Sequence, residues 1–318
     1  MNVFGLPPQA STIAPQVDAL FYAVTAVTTL VAIAVFTTMI VFAIRYRHGS
    51  KARRSDDVPL AQARLRKRVE LAWTLIPLLL FFAAFGWASR LYVARSKPPA
   101  DAMPVFVVAK QWMWKAQHSG GQREIDELHV PLGQPVRLVM TSQDVIHSFF
   151  IPAFRVKQDV LPGRYTDIWF TPTRLGRFHL FCAEYCGTDH SRMGGDIVVV
   201  DPAEFQRWLA AHAGAPDMAA RGEALFRQYG CSGCHGANAT VHAPNLAGIY
   251  GKPVPLADGK TVIADDRYIR DAILLPQREV AAGYAPIMPS FAGQLSDEEI
   301  FDLIAYIRSL ANATERPR

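Results

Sequence analysis

Charge is missing from long stretches of this sequence. Residues 1–17 contain no Asp, Glu, Lys or Arg; none occurs in the 25 residues 20–44, and none in the 19 residues 71–89. A secretory signal has a basic start and an apolar centre of only about 7–15 residues. The first apolar run is therefore expected to stay in the mature chain, with trimming of the first residues left open. Cysteine is scarce as well: Cys182, Cys186, Cys231 and Cys234 are all there is. Four could form two disulfides in an extracytoplasmic chain, but no denser scaffold. There is no internal repeat and no low-complexity tract, and 318 residues leave room for two or three domains.

A bilayer core needs about 20 apolar residues in a helix. Residues 20–44 and 71–89 meet that length and predict two membrane helices; Pro77, early in the second, is tolerated in such a setting. The bland alternative is a pair of buried core helices. Between the runs, residues 45–68 hold nine Lys or Arg against Asp56 and Asp57, a net +7 that exceeds the +5 of the whole chain. Basic short loops stay in the cytoplasm, so both termini are expected outside. The pI of 9.1 therefore reflects one juxtamembrane loop, which argues against nucleic-acid binding.

Residues 97–101 make a Pro-rich turn out of the second helix. Short β-type runs follow at 105–109, 136–140, 165–170, 178–181 and 197–200, separated by Gly, Pro and Asp turns, as in an antiparallel sandwich or barrel. Residues 202–213 read as a helix capped by Asp201, and 213–216 as a short linker. Beyond it, 217–230 and 297–310 are amphipathic helices around a loop-rich middle. The last opens with a capping box, Ser296 to Glu299, and carries Ile300, Leu303, Ile304, Ile307 and Leu310 as its apolar stripe.

The densest chemistry is C-A-E-Y-C-G-T-D-H-S-R-M at 182–193. Thiolates Cys182 and Cys186, imidazole His190 and thioether Met193 are soft donors that favour copper. With His147 added from a separate strand-like segment, two bridging thiolates could hold a copper pair. A mononuclear copper site, a Cys182–Cys186 disulfide or a Cys₂His₂ zinc site are the alternatives; zinc would leave Met193 without a role.

Here S-Q-D-V-I-H-S-F (142–149), L-P-G-R (161–164), Q-W-M-W (111–114) and V-E-L-A-W-T-L-I-P (69–77), together with the cysteine loop, resemble subunit II of cytochrome c oxidase over roughly residues 15–212. The resemblance implies a cupredoxin-like β-barrel holding a binuclear copper-A centre. Its ligands would be His147, Cys182, Cys186, His190, Met193 and the main-chain carbonyl of Glu184. The Glu184 carboxylate would share a magnesium ion with subunit I, and electrons would enter at Trp112. Lys115-Ala116 depart from the family's longer aromatic stretch. Glu70 would stand at the mouth of a proton channel; its plain alternative is an ion pair with Arg66 or Lys67.

C-S-G-C-H at 231–235 is the c-type haem attachment motif, with His235 as proximal ligand. A redox dithiol would ignore that histidine. Met288 is the only methionine beyond residue 235 and the expected distal ligand, with His242 its rival. Residues 217–311 resemble a class I cytochrome c. By that resemblance Gly222 and Phe226 would pack on Leu303 and Tyr306, and the Pro244 carbonyl would fix the His235 ring.

The whole resembles subunit II of the caa-type oxidases. The implied fold class is a two-helix transmembrane hairpin (1–95), a cupredoxin-like barrel (96–213) and an all-α class I cytochrome c domain (217–318). The implied role is electron transfer from covalent haem c to copper A and on to subunit I, where oxygen reduction is coupled to proton translocation. Implied partners are subunits I and III and a donor, either cytochrome c or a quinol:cytochrome c reductase. The implied location is a bacterial inner membrane, with both metal domains outside. A copper-A nitric oxide reductase subunit and a membrane-tethered electron carrier or copper protein are the competing readings.

Overall fold

The computed structural model describes residues 5–51, 60–213, 216–236, 239 and 241–313. Arg53, Arg54, Asp56 and Asp57 of the basic loop, and Gly214 and Ala215 of the linker, lie outside the described residues. The chain divides into two units, Ile13–Lys97 and a second made of Met1–Thr12 with Pro98–Arg318.

The first unit is two helices, α1 (Ala14–Arg45) and α2 (Leu60–Arg95). Both overrun their apolar stretches: α1 begins ahead of its run with Pro15 in its first turn, and α2 continues past both ends of its run through Lys and Arg, which are good helix formers. At about 1.5 Å per residue, 32 residues reach about 48 Å, more than the roughly 30 Å hydrocarbon core. Apolar side chains point outward all round, with Leu30, Phe36 and Leu79 each more than 60% exposed. Hydroxyls in these helices bond back to their own backbone: Thr28 Oγ1 to Val24 O, Thr38 Oγ1 to Ala34 O and Thr74 Oγ1 to Glu70 O. That is the arrangement required where water is absent.

The second unit opens with ten strands: β1 (Met103–Lys110), β2 (Met113–His118), β3 (Arg123–Ile125), β4 (Glu127–Pro131) and β5 (Val136–Ser142). These are followed by β6 (His147–Ile151), β7 (Val156–Val160), β8 (Thr166–Phe170), β9 (Gly176–Cys182) and β10 (Gly194–Val200). They form two five-stranded sheets, β3-β2-β1-β5-β8 and β4-β10-β9-β6-β7. The pairs β1–β5 and β4–β10 are parallel, the rest antiparallel. Val105, Val107, Leu138, Met140, Phe149, Ile151 and Leu180 fill the space between the sheets, all nearly inaccessible. Residues 5–12, expected to belong with the helices, pack on this barrel instead. Ala10 N donates to Ala153 O, Thr12 N to Thr171 O and Ser11 Oγ to Phe154 O. The helix α3 (Pro202–Ala211) closes the barrel, its Asp201 side chain accepting from Ala203 N.

The haem-motif module comprises α4 (Met218–Gln228), α5 (Ser232–His235), β11 (Pro253–Pro255), β12 (Thr261–Ile263), α6 (Asp266–Leu274) and α7 (Asp297–Ala313). The short β11–β12 hairpin is an addition to an otherwise helical module. The capping box is in place: Ser296 N donates to Glu299 Oε2 and Glu299 N to Ser296 Oγ. The helices α4 and α7 cross so closely at Gly222 that a Cβ there would lie 2.0 Å from Asp302 O. Phe226 meets Tyr306 with ring centroids 5.3 Å apart.

The linker does not leave this module free. Phe301 of α7 inserts against Phe106 on β1 and stacks on Tyr165, both at 4.8 Å, with Val108, Val139 and Met218 around them. Gln117 donates to the buried Asp302, which also receives a two-pronged bond from Arg221. Arg137 of β5 reaches Asp266 at 3.4 Å and Lys115 of β2 reaches Glu298 at 3.1 Å.

Candidate metal and haem sites

Strand pairing assembles the first site. β6 and β9 pair with Phe149 opposite Cys182, so His147, two residues earlier on the same face, comes beside the end of β9. The chain then loops through 183–193 and returns as β10, with Cys182 N donating to Met193 O. Gly187, at φ +119°, lets the loop pass under Gln111, whose Nε2 would lie 2.9 Å from any Cβ there.

The expected donors converge. Cys182 Sγ and Cys186 Sγ are 3.8 Å apart, far beyond the roughly 2.05 Å of a disulfide, and both cysteines are free. Cys182 Sγ lies 4.0 Å from His147 Nδ1 and 3.3 Å from Glu184 O. Cys186 Sγ lies 3.4 Å from His190 Nδ1 and 3.7 Å from Met193 Sδ. His147, both cysteines and Met193 are buried. Burial pushes the Cys182 thiol up, but the His147 ring and its other hydrogen-bonding neighbours outweigh this and bring it down to about 6. Burial and the neighbouring Cys182 thiolate push Cys186 up. The pair thus loses one proton readily and the second only with help, which a cation provides. Soft sulfur and imidazole donors fit copper, and Met193 sits inside the cluster where zinc would have no use for it.

Two contributors escaped the sequence reading. Asp144 accepts from His147 Nε2 at 2.8 Å, and Gln111 Nε2 donates to Cys186 O at 2.7 Å. The available signal for Asp144 was an acid three residues before a candidate ligand; Gln111 offered none. Trp112, half-buried, donates Nε1 to the same Cys186 carbonyl at 3.2 Å. Glu184 is exposed beside Tyr185, and its carboxylate has no bonding partner among the described residues. Glu70 pairs with Arg66 at 2.9 Å on the outside of α2.

In the second site Cys231, Cys234 and His235 line one wall of an apolar cavity, and Met288, Ile273, Leu295 and Leu303 line others. His235 Nδ1 is 2.9 Å from Pro244 O, which leaves Nε2 for a metal. Met288 packs on the hydrophobic core. His242 also borders the cavity but is exposed and stacked on Tyr284 at 4.8 Å. A paired cysteine motif, a fixed imidazole and a thioether around an apolar slot fit a covalent haem.

Residues 103–201 match the family model for the periplasmic domain of cytochrome c oxidase subunit II, residues 1–87 that for its transmembrane domain, and residues 219–311 that for cytochrome c. Cytochrome c oxidase subunit 2 of Alkalihalophilus pseudofirmus is 28% identical over 298 residues, covering 88% of this chain and 83% of that one. Heme-copper oxidase subunit 2 of Aeropyrum pernix is 36% identical over 133 residues, 40% of this chain and 56% of that one. The crystal structure of the periplasmic domain of cytochrome oxidase subunit II from Bradyrhizobium japonicum is 32% identical, covers 36% of this chain and 96% of that one, and has a TM-score of 0.35. Both parts of the subunit II model follow one another along this chain, with the cytochrome c model after them: the chain belongs to the cytochrome c oxidase subunit II family and carries a cytochrome c domain at its C-terminus.

Proposed function

We infer that this subunit of a haem–copper oxidase accepts electrons at a covalent haem c and hands them through a binuclear copper-A centre to subunit I. The observation that carries the reading is the division of donors about the two sulfurs. Cys182 has His147 and Glu184 O on its side, Cys186 has His190 and Met193 on the other, and the sulfurs stand 3.8 Å apart. Such a set suits two ions sharing both thiolates better than one tetrahedral ion.

When bound, copper and haem supply one-electron redox centres; the chain's part is to hold, orient and insulate. Cys231 and Cys234 would anchor the haem, His235 and Met288 would ligate it, and Pro244 would fix the His235 ring. His147, Cys182, Cys186, His190, Met193 and the Glu184 carbonyl would hold copper, with the exposed Glu184 carboxylate available to a magnesium ion shared with subunit I. Trp112 would remain the surface contact for an outside donor, since it lies on the Cys186 carbonyl. Glu70 would keep its proposed place near a proton path despite its Arg66 pairing. With two membrane-spanning helices, both ends of the hairpin would lie on one side of the bilayer. With the basic loop between the helices, that side is the outer one.

The test is metal and haem analysis of the purified oxidase alongside a Cys186→Ser variant. Loss of subunit II copper in the variant with haem c retained is expected. Retention of copper in the variant would overturn the ligand set.

A further inference from the structure

Asp144 stands outside the donor set, yet its carboxylate is tied to both halves of it. Oδ1 accepts from His147 Nε2 at 2.8 Å and from Val145 N at 2.7 Å, and Oδ2 accepts from Gln111 N at 2.7 Å. Gln111 in turn donates to Cys186 O at 2.7 Å. One carboxylate thus orients an imidazole on one side of the thiolate pair and, through one residue, the main chain carrying the other thiolate.

Asp144 also borders a cleft shared with the cytochrome c module, where Leu295 and Asp297 face Lys110 and Gln143. Leu295 lines the apolar haem cavity as well. Next in sequence, Gln143 is fixed to the barrel through its N–H to Ala109 O and to the module through Nε2 to Glu298 Oε2 at 3.0 Å. Glu298 Oε1 takes Lys115 Nζ at 3.1 Å. The docked module therefore grips the residue adjacent to Asp144.

We propose that Asp144 is a positioning residue for the copper centre, and that docking of the cytochrome c module bears on it through the Glu298–Gln143 contact. The proposal rests on the copper-A reading above. A hydrogen bond from a ligating imidazole to a carboxylate fixes the ring and raises its basicity, so moving that carboxylate alters the metal's electronic state without altering its ligands.

The test uses the full chain in the assembled oxidase, with Asp144→Ala, Asp144→Asn and Glu298→Ala. Copper and haem contents are measured first, then the copper absorption bands and midpoint potential. Asp144→Ala is expected to shift both copper signals with haem bands unchanged, and Asp144→Asn, which keeps an acceptor oxygen, to restore part of the shift. Glu298→Ala touches no ligand; it should retain full copper and haem and still shift the copper potential in the same direction. A Glu298→Ala copper signal identical to the unaltered chain would overturn transmission from the module. An unshifted Asp144→Ala signal would overturn the positioning role. Copper missing from the unaltered chain would overturn the underlying reading, and it shows in the metal content before any shift is measured.

Discussion

Met288 and His242 both border the haem cavity, and their surroundings differ in a way that assigns them different work. Met288 is packed on the core, whereas His242 is exposed and held by stacking on Tyr284. Met288→Ala should lower the haem midpoint potential by on the order of 0.1 V, given the roughly 0.8 V range set by axial ligands; His242→Ala should leave it unchanged. Redox titration of the two variants decides, and the opposite pattern would make His242 the ligand. A second residue-scale prediction concerns Glu124, buried between His118 at 2.9 Å and His129 at 2.6 Å. Burial alone would raise its pKa, but the two histidines outweigh burial and the net shift is downward. A carboxyl whose folded pKa lies below its unfolded value stabilises the fold above the unfolded value, and that stability is lost as pH falls through the folded one. Glu124→Gln should therefore lower the thermal midpoint at neutral pH and flatten its decline below about pH 4.3. A parallel decline in both proteins would contradict this.

At the level of elements, Gly222 is the position where α4 and α7 touch backbone to backbone. Gly222→Ala would drive a Cβ into Asp302 O, and overpacking of this kind costs about 1–3 kcal/mol. Because Asp302 also receives Gln117 from the barrel, the substitution should loosen docking as well as the module. Calorimetry should show a lowered transition for the haem module, and an unchanged transition would contradict the packing account. The α4–α7 pairing was legible through the resemblance to a class I cytochrome c, and α7 itself announces its start and its buried face locally, by a capping box and a 3.6-residue stripe. The cysteine loop was legible because four of its candidate side-chain donors fall within twelve residues. What could not be read was non-local. The return of residues 5–12 to the barrel and the support of Asp144 depend on strand pairings that no short window records. The docking face did leave a trace: Val105, Phe106, Val107 and Val108 form a continuous apolar run, the pattern of a strand covered on both faces. One face packs in the barrel and the other lies under Phe301.

For the whole molecule, residues 217–318 follow a short linker and carry twelve acids against ten bases, a net charge too small to steer strongly. The structure adds a fixed seat. Asp266 and Asp302 are each less than 5% exposed where they meet Arg137 and Gln117, and buried pairs are screened little by salt. Flash-induced electron transfer from the haem module to the copper domain should be independent of protein concentration and nearly independent of ionic strength. A rate rising with concentration would mean that the module serves another partner. Transfer between the two domains requires both metal centres to be filled. Copper and haem c should therefore be counted on the purified full chain, by elemental analysis and the absorbance of the covalent haem. Two coppers for each covalent haem is the predicted result; one copper per haem, or zinc held in its place after copper loading, would contradict the binuclear centre.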